Sequence, residues 1–194
     1  MNQLFITLDP ILDADPMPMA DWCASSPKSS ENAPIDISGR WQHHVSNLNI
    51  DAANLFFVLM IDQDQEGKLR RPLDATGVNR EAFGRIPGEK SPIDYLCEFI
   101  IPNDGNERLM FLLNALSNRF EGHPCREGKG GIIIRGAISG KETGELKDNL
   151  MSKNWKIDQK EILDGGVAEM VRLLLLLLRK AQSRNCGVML REHR

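Results

Sequence analysis

The chain has 194 residues, enough for one domain with a sizeable core or for one domain with a small appendage. Hydrophobic residues make up 41 %, charged residues make up 26 %, and the net charge of −3 excludes a global electrostatic attraction to nucleic acid or anionic membranes. The first residues lack the basic region and long apolar core of a secretion signal, so we expect a cytosolic protein. The four cysteines form no CxxC pair, which favours reduced, buried thiols over disulfides or zinc ligands.

The N-terminal stretch combines a short strand with a proline-rich segment. Residues 3–8 are mostly β-branched, aromatic or apolar and predict a strand that ends at Asp9 and Pro10. Residues 9–34 contain five prolines, and we expect either a long loop or partial disorder because this stretch cannot bury enough apolar surface. Three apolar residues of this segment could still dock it onto a partner: Met17, Met19 and Trp22.

The middle of the chain contains two apolar runs of strand length. Residues 54–61 are continuously apolar after the first position and predict a central strand covered on both faces. Residues 62–67 then predict a turn, and residues 68–73 return as a hairpin partner. Residues 75–90 are rich in charge and glycine, so we expect irregular structure there. A second apolar run at residues 93–101 predicts another strand.

Three helices and two further strands follow from periodicity and turn signals. Residues 38–48 predict a short helix, and residues 106–120 predict an amphipathic helix with its leucines on one face. Residues 132–138 predict a strand, and residues 145–151 a helix. Residues 186–190 predict a last short strand.

The strongest signal is an unbroken run of six leucines at residues 173–178, inside a predicted helix spanning residues 167–184. At about 100° per residue, consecutive leucines reach every side of a helix, so we expect it to be covered all round by a core or an interface. Arg172 and Arg179 enclose only these six apolar residues, whereas a membrane span needs about 20, so membrane insertion is excluded. Asn185 can end the helix in the left-handed conformation.

The order of these elements predicts an α+β fold with a single mixed or antiparallel sheet and helices on one face. A ferredoxin-like split βαβ arrangement fits that order. The leucine-rich C-terminal helix is central in this prediction, and the amphipathic helix packs beside it. We divide the chain into residues 1–37, an N-terminal strand with a flexible segment, and residues 38–194, a single globular domain.

Two stretches imitate ligand-binding loops but lack required positions. The segment from Gly136 to Lys141 lies between a strand and a helix, as a phosphate-binding loop does, yet it is one residue short and Thr143 is one residue late. Asp62 and Asp64 imitate the start of a calcium loop whose glutamate position is occupied by a leucine. We therefore interpret the first as a glycine-rich connection and the second as a solvated turn.

Other chemically active residues form no complete motif. His123 and Cys125 could form a catalytic pair or bind a metal only if further groups converged in space. Asp62, Asp64 and Asp94 could form a nuclease cluster if strand ends met. We assign no catalytic residue, metal ligand or cofactor.

The middle of the chain has a basic bias that offers a nucleic-acid alternative. If these residues shared one face, they could contact phosphates, although aromatic residues make up only 6 %. The candidates are Arg70, Arg71, Arg85, Lys129, Arg135 and Lys141.

Three function classes remain open. The leading hypothesis is a non-enzymatic interaction or regulatory protein, a subunit of a larger assembly or a homo-oligomer, because an apolar helix occurs without a complete catalytic motif. A nucleic-acid-binding subunit and a degenerate nucleotide- or metal-dependent hydrolase are the alternatives. The interface candidates are Leu173, Leu174, Leu177, Leu178, Met17, Met19 and Trp22.

Overall fold

The computed structural model describes residues 5–44, 50–74, 91–162 and 165–193. Its regular elements are seven helices and six strands within these residues. In chain order they are β1 (Phe5–Ile11), α1 (Pro16–Ala24), α2 (Ser38–His44), α3 (Ala52–Met60), α4 (Pro92–Phe99), β2 (Ile100–Pro102), α5 (Glu107–Asn118), β3 (Glu127–Gly128), β4 (Ile132–Ile138), α6 (Gly140–Ser152), β5 (Trp155–Ile157), α7 (Gly166–Ser183) and β6 (Gly187–His193).

The centre is a four-stranded antiparallel sheet in the order β1-β6-β4-β3. The strands β2 and β5 pair separately as a short antiparallel sheet. The α+β class and the antiparallel pairing are therefore confirmed, whereas the prediction of a single sheet is wrong. The ferredoxin-like arrangement is not confirmed, because two segments that it uses as strands are largely helical.

Helices cover both faces of the central sheet. Side chains alternate along β6, so Val188 and Leu190 join one core while Met189 joins the other. The first core lies between the sheet and α4 to α7, and the second lies between the sheet and α1 to α3. The prediction that helices pack on one face of the sheet is therefore wrong. The sheet lies between two helical layers, and neither of its faces is open to solvent where these helices pack.

The run at residues 54–61, predicted as the central strand, is the helix α3. Asp51 caps this helix by accepting a hydrogen bond from the backbone N–H of Asn54 at 3.0 Å. Leu55 and Leu59 are buried one turn apart, which is helical spacing. An apolar run of this length fits a buried helix as well as a buried strand, so its composition could not separate the two.

The second predicted strand, residues 93–101, is mostly the helix α4. Ser91 and Asp94 form a reciprocal capping box, and Pro92 occupies the first turn, where a missing N–H costs nothing. Only its last two residues are extended, in β2. Ser91, Pro92 and Asp94 form a helix-start signal, but the apolar pattern of the run was given more weight in the sequence prediction.

The N-terminal region also differs from the prediction. The strand β1 continues through Pro10 to Ile11, which an edge strand tolerates because the missing N–H of Pro10 is on the side away from β6, where its carbonyl accepts the N–H of Asp62 at 2.8 Å. The predicted loop contains α1, capped by Asp15. The division of the chain at residue 37 stays a prediction, although β1 pairs with β6 and α1 packs against α3.

The remaining predicted elements are found near their expected positions. The helices α5, α6 and α7 and the strands β4 and β6 correspond to the segments inferred from periodicity. Asn185 has the expected left-handed conformation, with φ of 50°. The prediction for residues 75–90 lies outside the described residues. Within the described chain, no helix combines the length and apolarity needed to cross a membrane.

Candidate interaction surface

The inner face of α7 is part of the core of the chain itself. Leu174 and Leu178 are fully buried, and their neighbours Leu173 and Leu177 are only 1 % exposed. The helix packs against α6, α4 and β6. Burying such side chains stabilises the fold by about 1.5–3 kcal/mol each. The four leucines predicted as an interface are thus already covered within one chain.

The outer face of α7 carries a different set of residues, which we call the outer stripe. Its members are exposed and recur at alternating intervals of three and four positions: Glu169, Arg172, Leu176, Arg179 and Ser183. Leu176 is 40 % exposed, so the expectation that the helix is covered on every side is wrong for the described residues. Such spacing places residues along one line of a helix, as in a coiled-coil seam.

The charges of the outer stripe are unequally satisfied. Arg172 donates to both carboxylate oxygens of Glu169 at 2.8 and 2.6 Å, and this hydrogen bonding lowers the pKa of Glu169 and raises that of Arg172. Arg179 contacts only the thioether sulfur of Met151, at 3.8 Å, and pairs with no carboxylate among the described residues. Within the described residues, Arg179 is therefore a full cation of the stripe without a counter-charge.

Large exposed apolar side chains are concentrated in the part of the chain from α5 to α7. Among the described residues, five of the six lie on α5, α6, α7, β5 or the β5-to-α7 connection, and the sixth is Leu69 in the hairpin. The five are Phe111, Met151, Ile157, Ile162 and Leu176. Arg108 lies 4.7 Å over the ring of Phe111, so cations accompany apolar groups here as well.

The N-terminal residues predicted as contacts are used inside the fold. Met19 is fully buried in the second core. Met17 and Trp22 are half-buried against it, and the ring of Trp22 meets that of Trp41 edge-on at 5.6 Å. The segment that carries them packs on this protein's own helices.

The loop that resembled a phosphate site has its helix N-terminus occupied by the chain's own carboxylate. Asp13 accepts a hydrogen bond from the N–H of Gly140 at 2.8 Å, and Ser139 and Glu142 form a capping box. Gly136 lies within β4, where a β carbon would overlap the carbonyl oxygens of Ala115 and Leu116. These glycines serve close packing, and no loop is left to wrap a phosphate.

The aspartates of the apparent calcium loop stabilise a turn. Asp64 accepts backbone hydrogen bonds from Glu66 at 2.9 Å and Lys68 at 3.0 Å. Asp62 pairs with Arg70 at 2.9 Å. The predicted turn is confirmed. Within the described part of the chain, no group of three His, Cys, Asp or Glu residues is placed to hold a metal.

His123 and Cys125 do not form a nucleophile and base. The N–H of Cys125 donates to Nδ1 of His123 at 3.1 Å, whereas its thiol donates to the carbonyl of Ala20 at 3.3 Å. Burial raises the pKa of Cys125 to about 12, so the thiolate needed for attack is scarce.

The basic candidates do not gather on one face. Arg135 pairs with Asp94 at 2.8 Å and is largely buried, and Arg70 is held by Asp62. Arg70 follows the turn that begins at Asp62, whose N–H donates to the carbonyl of Pro10 in the edge strand β1. Lys129 directly follows β3 and Arg135 lies in β4, toward the opposite end of the strand order. Arg71, Lys129 and Lys141 are exposed, and Arg85 lies outside the described residues.

Leu176, Arg179 and Met151 were missed as a site, although part of the signal was in the sequence. On a helical wheel Leu176 falls close to Glu169 and Arg172, so these polar residues mark it as outward-facing. The position of Met151 beside Arg179 depends on how α6 packs on α7, which no local pattern contains.

The protein is therefore an α+β protein with an antiparallel sheet between two helical layers, one of which carries exposed apolar side chains and the unpaired Arg179 among the described residues. Comparison of the chain with protein-family models, curated proteins and solved structures gave no match.

Proposed function

We propose that this is a cytosolic, non-catalytic interaction or regulatory protein, a subunit of a larger assembly or of a homo-oligomer. It docks through the outer surface of the α5 to α7 layer. The observation that carries the proposal is the concentration of exposed large apolar side chains there, five of six in the described residues. Exposed apolar side chains rimmed by polar groups are typical of protein contact sites.

The state of the other groups supports a binding role. All four cysteines are free thiols, which fits a reducing compartment. The residues that imitated phosphate, calcium and thiol sites are engaged in helix capping, a turn and the core. The inner leucines act indirectly by holding α7 rigid, so that the outer stripe is presented on a fixed helix.

Light scattering of the full chain, alone and with co-purifying proteins, tests the proposal. We expect a mass above that of one chain in at least one of the two preparations, and Leu176→Asp should return it to one chain without lowering the melting temperature. Leu69→Asp is the matched control, since Leu69 is a similarly exposed leucine in the hairpin. A stable monomer with nothing bound would overturn the proposal.

The two alternatives stay predictions. A nucleic-acid role is weakened by the ion pairs of Arg70 and Arg135, and absence of binding to nucleic acid at low salt would exclude it. Unchanged thermal stability with ATP, GTP, magnesium and manganese would exclude the hydrolase, because a ligand at 100 times its dissociation constant adds about 2.7 kcal/mol.

A further inference from the structure

Resting on the proposed function, we propose that the partner of the outer stripe is an acidic amphipathic helix rather than a second copy of this chain. The helix α7 presents Leu176 between the cations Arg172 and Arg179, and the partner places an apolar side chain against the leucine and carboxylates against the cations. Three properties of the stripe lead to this inference.

The first property is spacing. The stripe repeats at intervals of three and four residues over Glu169, Arg172, Leu176, Arg179 and Ser183. A helix lying along such a seam packs its side chains between those of α7 over about four turns. Strand addition at the ends of the sheet is a weaker alternative. The N–H of Leu73 donates to the carbonyl of Leu8 at 2.7 Å, and the N–H of Ile134 donates to that of Arg126 at 2.7 Å, so the backbones of β1 and β4 are occupied at these positions.

The second property is the sign of the unpaired charge. Arg179 has no carboxylate partner among the described residues and rests on the sulfur of Met151, a weak acceptor. The exposed acids on the two helices, Glu169 on α7 and Asp148 on α6, are already paired with Arg172 and Lys147. A partner carboxylate could take two parallel hydrogen bonds from Arg179.

The third property is that symmetric self-pairing opposes like charges. An antiparallel two-fold contact centred on Leu176 sets Arg172 opposite Arg179 of the second copy, because each lies three or four residues from the centre. A parallel contact sets each arginine opposite itself. Facing like charges destabilise a helix pair, whereas opposite charges select the partner. The stripe therefore disfavours its own copy and favours an acidic helix.

The exposed charges that follow Met151 along the chain have the same sign. They are Lys153, Lys156 and Lys160, which pair with no carboxylate of a described residue. The chain as a whole carries a charge of −3, so these exposed charges differ in sign from the average of the molecule. A local basic surface increases the association rate of an acidic partner, and salt reduces that effect.

Two synthetic helical peptides of about 21 residues test the inference. Both carry the same leucine heptads, and the leucines are flanked by glutamates in one peptide and by lysines in the other. Binding of the labelled peptides to the full chain is measured at about 0.05 M and about 0.5 M salt. We expect the glutamate peptide to bind at least about tenfold more tightly at low salt. Leu176→Asp should abolish this binding.

Charge reversal supplies the decisive comparison. The double variant Arg172→Glu/Arg179→Glu should reverse the preference, so that the lysine peptide binds more tightly. Lys129→Glu, an exposed charge change near β3, is the matched control and should leave the preference unchanged. Unchanged melting temperatures verify that each variant is folded.

The outcomes separate this inference from the proposed function. Equal binding of both peptides, no binding of either, or no reversal in the double variant overturns the acidic partner. If light scattering then still gives a complex that Leu176→Asp dissociates, the interaction function stands with a different occupant, including a second copy. A monomer that captures neither a partner nor a peptide overturns both.

Discussion

Both faces of α7 carry leucine, but these leucines have opposite surroundings. Leu174 on the inner face is fully buried, whereas Leu176, two positions later, is 40 % exposed. Because about 200° separates these residues around the helix, one faces the core while the other faces away. A run of leucines therefore specifies a helix, and the elements that pack against the helix decide which leucines form the core.

The same contrast applies to ion pairs. Arg135 and Asp94 are only 11 % and 16 % exposed as side chains, and Asp94 is also held by Ser117 and by the N–H of Ser91. The pair between Arg172 and Glu169 is open to water. Buried pairs are costly to break because the remaining charge is left desolvated, whereas exposed pairs contribute little.

Leu174→Asp should have the largest effect and should prevent folding. Removing a buried leucine costs about 2–5 kcal/mol, and the buried carboxylate adds several more, which approaches the whole stability of a domain. Leu176→Asp should leave the fold intact. Circular dichroism during thermal unfolding measures both variants, and equal losses of stability would contradict the assignment of the two faces.

Asp94→Ala should destabilise the protein by about 3–5 kcal/mol, because Arg135 would be left buried without its carboxylate. Glu169→Ala is the exposed counterpart and should not measurably change stability. Urea unfolding of the two variants gives the comparison. A small effect at Asp94 would mean that water replaces the carboxylate around Arg135.

Acidification should weaken the buried pair selectively. Burial by itself would raise the pKa of Asp94, but hydrogen bonds from Ser117 and Ser91 and the charge of Arg135 outweigh it and hold the pKa below its ordinary value. A depressed carboxyl pKa stabilises the fold above the unfolded-state value of about 3.9, and this contribution is lost as pH falls through the folded-state value. Below about pH 4, the unfolding free energy of the wild type should therefore fall more steeply than that of Asp94→Asn.

The smallest of these effects should come from the end of a helix. Asp13→Ala removes the carboxylate at the N-terminus of α6 and should cost about 1 kcal/mol. Asp148→Ala, on the exposed side of the same helix, should cost less. Thermal unfolding measures both, and a wild-type melting temperature raised by phosphate would show that Asp13 does not block anion binding.

Local sequence patterns predicted α5, α6, α7, β4 and β6, because each has a clear period or a clear boundary. The same reasoning failed for α3 and α4, where a short apolar run was read as a strand. In α3 the deciding feature is Asp51, which caps the helix and also accepts the N–H of Lys129 at 2.9 Å. That second contact joins positions 78 residues apart and leaves no local trace.

The candidate surface was predictable only in part. The polar residues of α7 place Leu176 on the outward side, so the direction of the helix could be inferred from the sequence. The opposite expectation, that Leu173 and Leu174 face a partner, assumed that too few elements of the chain itself pack against α7. The packing of α4, α6 and β6 against α7 supplies that covering.

By itself, the sequence determined that residues 173–178 are helical and strongly apolar and that Arg172 and Arg179 make a membrane span too short, since these are properties of neighbouring residues. Only the tertiary structure decided that four of the leucines are core and that Met151 joins Leu176 and Arg179 on one surface. The physical reason is that burial depends on which distant elements pack against a residue. Periodicity gives the direction of a side chain but not what lies in that direction.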